Sequence, residues 1–195
     1  MEVPWTRDVP TAGSPVWERL ARLVDQRGLL LHGSRTPGLA TLEPAAPLDR
    51  GPDVYSKSTA VFATEDPTWA MGYALRDESC LRLLNACFHP LAADGSWGPR
   101  RIFLSYARPA SGTPPLSRGV VYAVPRGPFT RMPPHDDPAL GSIVECQWIA
   151  TDPVPVMVEI VVEPLDMPFA VRTHDHDRVS AAMDADPSGF PWLDA

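Results

Sequence analysis

Four consecutive residues within LLLHGSRTPG, residues 29–38, can do chemistry together. His32 offers a hydrogen-bonding ring that titrates near neutrality. Gly33, without a side chain, lets another group approach its peptide closely. Ser34 and Arg35 can reach hydroxyl or anionic oxygens, Arg35 through a planar fork of donors. A histidine that ends an apolar run is equally a core residue bonded to a backbone carbonyl, so two readings stand side by side. A second constellation is IVECQW, residues 143–148. In an extended chain Glu145 shares one side with Ile143 and Gln147, while Val144, Cys146 and Trp148 share the other. A carboxylate and an amide on one side suit a polar cleft or a wetted surface. Glu159 is the competing acid, but it stands in the alternation of a solvated strand face. Tyr73 follows Trp69 by four residues, which makes the pair core neighbours on a helix or a platform for stacking.

Other chemistries are absent from the pattern. The chain contains no P-loop, GxGxxG, GxSxG or HExxH motif. Its three cysteines, Cys80, Cys87 and Cys146, form no CxxC pair, so neither a disulfide framework nor a zinc site is indicated, and no metal is expected. His174 and His176 in HDHD fall on one side of an extended segment without an evident third ligand, and HDD at 135–137 reads as loop.

These residues must be positioned by the elements around them. The chain has 195 residues, 44% apolar and 21% charged, the range of one globular domain. The net charge of −7, with Lys57 the only lysine, argues against a broad nucleic-acid surface. The 24 prolines are dispersed, which indicates many short elements joined by stiff turns. No signal segment or apolar run of membrane-spanning length is present, so a cytoplasmic protein with no membrane partner is expected. Residues 14–27 carry a helix signature, with Ser14 as N-cap, Pro15 at the first turn, an apolar stripe of Val16, Leu20, Leu23 and Val24, and Gly28 as stop. LLLHG reads as a buried strand, 36–58 as a long loop and TAVFAT (59–64) as a strand. The next helix opens at Asp66-Pro67 and is expected to run on into CLRLLNACF, with Cys80 and Cys87 on one face. Strands follow at 100–107, 119–125, 142–150 and 154–165, where Pro155 favours an edge or a strand start. This is an α+β order. The expected division is an N-terminal segment and helix (1–28), a central domain (29–168) and an acidic tail (169–195) docked through Phe190 and Trp192.

The residues also carry a resemblance. LLLHGSRTPGLATLEP, VFATEDPTWAMGYA and VECQWIATDPVPVMVEIVV, in that order and covering roughly residues 29–163, resemble the conserved blocks of the ADP-ribosyltransferases of the poly(ADP-ribose) polymerase and diphtheria-toxin group. The resemblance implies a split β-sandwich of two small antiparallel or mixed sheets around an NAD cleft, flanked by helices. It implies NAD as co-substrate, cleavage of the nicotinamide–ribose bond and transfer of one ADP-ribose to an unidentified acceptor. Glu145 would assist the nucleophile with His32. His32, Gly33, Ser34, Arg35, Phe62 and Tyr73 would hold NAD, His32 donating to the ribose and Tyr73 stacking on nicotinamide. Where the group's His-Tyr-Glu pattern has its tyrosine this chain has Val61, unless Tyr55 or Trp69 fills the gap, which favours single transfer, NAD hydrolysis or lost activity over polymer formation. KSTA (57–60) resembles, more distantly, the Ser-Thr-Ser strand of arginine-modifying toxins. Two alternatives follow: a catalytically silent module that binds NAD, ADP-ribose or a protein, and an RNA 2′-phosphotransferase-like reaction using Arg35, Arg50 and Lys57.

Overall fold

The structure, a computed structural model, describes residues 15–46, 55–80, 82–110, 112 and 114–193. Ser14 and Arg50 therefore lie outside the described residues. The first helix, α1 (Pro15–Arg27), starts on its proline and buries Trp17 and Leu20. It stops where Gly28 takes φ +63°, its N–H closing on the Val24 carbonyl at 3.0 Å. The chain goes directly into β1 (Leu29–Ser34). Then come β2 (Thr41–Leu42), β3 (Val61–Thr64) and α2 (Pro67–Ala74), followed by β4 (Leu83–Pro90) and β5 (Arg101–Ala107). The later strands are β6 (Gly119–Pro125), β7 (Thr130–Arg131), β8 (His135–Asp137), β9 (Gly141–Glu145), β10 (Gln147–Ala150), β11 (Val154–Pro155), β12 (Val158–Val162) and β13 (Arg172–His174). Helix α3 (His176–Ala185) comes last. The fold is mixed α+β, with three α-helices among the described residues.

A six-stranded first sheet runs β12-β6-β1-β3-β10-β7, and a five-stranded second sheet runs β13-β5-β4-β9-β8. A two-stranded ribbon, β11-β2, completes the set. One face of the first sheet (Leu31, Val121, Ala123, Ile160, Val162) shares a core with both early helices and with Leu83, Cys87, Ile102, Leu104 and Tyr106 of the second sheet. Helix α2 therefore lies between the sheets instead of flanking an open cleft. The opposite face of the first sheet (Leu30, Val61, Ala63, Tyr122, Val124) lies under the ribbon residues Leu42 and Val154. The outer face of the second sheet packs Leu84 and Phe103 on Val179 of α3, and Phe190 and Trp192 dock there as expected.

Three expectations are corrected. CLRLLNACF is not a continuation of the helix. Helix α2 ends with Leu75 as its C-cap, Ser79 donates its N–H to Asp77 Oδ1 in a turn, and 83–90 form a strand between β5 and β9. Cys80 and Cys87 thus share no helical face. Residues 142–150 are not one strand: the chain leaves the second sheet at Glu145 and joins the first at Gln147, with Cys146 as the crossing residue. The 154–165 stretch likewise divides into β11 and β12, with Pro155 on an edge, where its missing N–H costs no ladder bond.

Candidate functional site

Strands β1 and β3 pair through one register position, Leu31 with Thr64. Next to it His32 links the two strands, its Nδ1–H donating to the Phe62 carbonyl at 2.7 Å. A carbonyl only accepts, so Nδ1 carries the proton. Burial lowers the ring's pKa, opposed by the Phe62 bond, and the neutral ring leaves Nε2 as an acceptor. Both readings of His32 therefore hold at once: it is tied to a backbone carbonyl, and it lines a cavity of about 200 Å³ with Leu39, Leu42, Glu43, Val61 and Phe62. With Nδ1 committed to Phe62, Nε2 of the neutral ring is suited to accept from a hydroxyl, not to donate to one.

The cavity wall is apolar apart from His32 and Glu43, a carboxylate that the sequence reading passed over. No spacing marks Glu43, which reaches the cavity only because the β2–β11 ribbon folds its loop over the sheet. The same loop is held by polar bonds. Gly38 donates its N–H to Glu159 Oε2 at 2.7 Å, Tyr122 Oη donates to the Thr36 carbonyl at 2.7 Å, and Leu39 N–H donates to Tyr122 Oη at 3.0 Å. Glu159 thus stands exposed in the alternation of β12, as expected, and also clamps the loop.

Gly33 is required by packing. A Cβ there would lie 2.1 Å from the Ala70 carbonyl oxygen and 3.0 Å from Tyr73 Cβ, and one on Gly119 would lie 1.9 Å from the Ala74 carbonyl oxygen. The two glycines form a floor on which α2 rests, so the side-chain face of Gly33 is covered. Tyr73 extends past it, 37% exposed, and donates its hydroxyl to Asn85 Oδ1 of the second sheet at 3.2 Å. Buried Trp69 donates Nε1–H to the same oxygen at 2.7 Å, and its ring centroid stands 6.2 Å from that of Tyr73. Strand alternation puts Tyr73 and the covered side of Gly33 on one face of the first sheet and the His32 ring on the other. Ser34 is engaged locally, its Oγ accepting from Thr36 N–H at 3.1 Å, and Arg35 pairs with Glu78 at 3.3 Å.

Glu145 belongs to the second sheet. By register it shares a face with Phe88, and its Oε1 lies 3.9 Å from Nε2 of His135, whose partner Ile143 lies on that face too. That face is turned away from the first sheet. The residue in the row of Leu31 and Thr64 is Gln147, paired with Thr64, its buried Nε2 without a hydrogen-bond partner. Tyr55 sits beside β7, donating its hydroxyl to the Arg131 carbonyl at 3.3 Å. His32 and Phe62 are thus brought together, Gly33 and Tyr73 touch each other, and Ser34, Arg35 and Glu145 are directed elsewhere.

No protein-family model, curated protein or solved structure matches the chain. Among the described residues, no helix is long and apolar enough to cross a membrane.

Proposed function

We propose that this chain binds NAD or ADP-ribose in the manner of an ADP-ribosyltransferase scaffold and acts as a catalytically silent reader. The observation that carries this reading is the cavity at the β1–β3 junction, lined by a neutral His32 that Phe62 fixes through Nδ1, which leaves Nε2 as the ring's acceptor. A ring-sized group fits about 200 Å³, and a ribose hydroxyl supplies the donor that Nε2 accepts. Silence is read from the acid: Glu145 is directed towards His135, on the second sheet, and not into the His32 cavity. Without Glu145 at the reacting ribose, the positive charge that builds as nicotinamide leaves has only Glu43 nearby to offset it.

The transferase reading, with transfer of ADP-ribose to an unidentified acceptor, is favoured by one observation, the Glu43 carboxylate in the His32 cavity. Calorimetric titration with NAD and with ADP-ribose, on wild type and on His32→Ala, tests binding. The expected result is binding that weakens at least tenfold in the variant. Absence of binding in wild type ends the reading. Nicotinamide release, measured with and without cell extract, separates reader from enzyme, and dependence on Glu43→Gln or Glu145→Gln would name the acid.

A further inference from the structure

Past the end of β3, three different ligand types converge from three segments. Glu65 follows the end of β3, His89 lies on β4 of the second sheet and Cys146 is the residue on which the chain crosses between sheets. One carboxylate oxygen, one ring nitrogen and the sulfur of these residues all lie within 4.8 Å of one another. We propose that Glu65, His89 and Cys146 bind one Zn²⁺, which ties the two sheets together where they meet.

The donor set selects the metal. Thiolate, imidazole and carboxylate together suit zinc, whereas magnesium and calcium take oxygen alone. Tetrahedral zinc with bonds of about 2.0–2.3 Å holds its ligands about 3.3–3.8 Å apart, so the ligand atoms must close by roughly 1 Å on binding. His89 is already oriented for the task. Its Nδ1–H donates to the Gly98 carbonyl at 3.0 Å, which leaves Nε2 as the lone pair. That outer bond to a backbone carbonyl is the support that ligating histidines commonly have.

The surroundings hold Cys146 still as well. Its N–H donates to the Cys87 carbonyl at 2.9 Å, which fixes the crossing residue against β4. Glu65 is shared with Arg131, at 3.1 Å, and Arg126, at 3.6 Å, and both guanidiniums lie over the Trp148 ring, at 5.9 and 4.8 Å from its centroid. These arginines hold the carboxylate in place, while opposing a cation. Binding removes the proton from the Cys146 sulfur and releases it to solvent. The Zn²⁺ charge is then met by one thiolate and one carboxylate, so the filled centre is neutral, one unit more positive than the thiol and carboxylate it replaces. Three protein ligands leave one position for water.

The test uses the full chain, stripped with chelator and titrated with ZnCl₂ and with CoCl₂. The expected result is one equivalent bound, a rise of several degrees in Tm, and a sulfur-to-cobalt charge-transfer band. Cys146→Ser and His89→Ala should each weaken binding at least a hundredfold, and Glu65→Gln at least tenfold. Cys80→Ser should keep the band, and His176→Ala should keep the affinity. The wild-type cobalt spectrum stands even if a variant does not fold. Absence of stoichiometric binding in wild type overturns the site, as does binding without the charge-transfer band or binding that survives Cys146→Ser.

Discussion

Gly33 and His32 are neighbours with separate duties. The Cβ that alanine would add at 33 meets the Ala70 carbonyl oxygen at 2.1 Å, and that atom belongs to helix backbone, which cannot rotate away. Helix α2 would have to lift from the sheet. Gly33→Ala is therefore expected to cost about 3 kcal/mol in urea denaturation, the upper end for overpacking a core. Gly127→Ala, where a Cβ meets nothing within 4 Å, should change stability by about 0.5 kcal/mol or less. His32 makes a different prediction. Nitrogen chemical shifts should report a neutral ring with the proton on Nδ1, titrating below the ordinary histidine value because burial disfavours the charged form. A ring still charged at neutral pH would remove the acceptor role assigned to Nε2. The residue types at 32 and 33 were readable from LLLHG, but their faces were not. Alternation turns adjacent side chains to opposite sides, and only the packing of α2 decides which side is filled.

Helix α2 depends on its first turn. Asp66, 1% exposed, accepts from Trp69 N–H and from Thr68 Oγ–H through Oδ1, each at 2.7 Å, while Oδ2 lies 2.8 Å from Arg100 Nε. Asp66→Ala loses the cap, about 1 kcal/mol, and strands a mostly buried guanidinium. The expected total is about 3–5 kcal/mol in chemical denaturation. Asp66→Asn keeps an oxygen for the cap and should cost less, and equal losses from the two variants would show that the cap contributes nothing beyond the ion pair. The cap was legible, because Asp-Pro before an apolar run names its own position. The helix end was not, because RDESCLRLLNACF keeps enough leucine and alanine to continue a helix. What stops it is the pairing that β5 and β9 offer to residues 83–90. The division of SIVECQWIA was equally hidden. Its β-branched and aromatic content fixes extended backbone, but nothing in it says that Cys146 changes sheets, and the expected placement of Glu145 depended on that point.

At the scale of the molecule, the C-terminal segment closes the second sheet. Strand β13 pairs with the edge of β5, and α3 with Phe190 and Trp192 covers Leu84 and Phe103. A chain ending after Met167 would expose that apolar face and an unpaired edge, and is expected to self-associate in light scattering. The strap also carries a titrating group. His174 is 4% exposed, shares a 2.9 Å hydrogen bond with Ser105 Oγ, and has its pKa lowered to about 4, first by burial and then by His176, Arg82 and Arg108, with Asp175 opposing. The unfolded chain takes up a proton at this histidine near its ordinary value of 6.5, whereas the folded chain does so only near 4. Between those values the unfolded state binds more protons, so stability falls as pH is lowered. The contribution is whole above about 6.5 and is lost by about 4, below which both states are protonated and the dependence levels off. Urea midpoints measured from pH 7 to pH 4 should decline more steeply in wild type than in His174→Gln, which cannot titrate. Parallel declines would mean that carboxylates elsewhere govern the acid response and that the strap stays docked throughout.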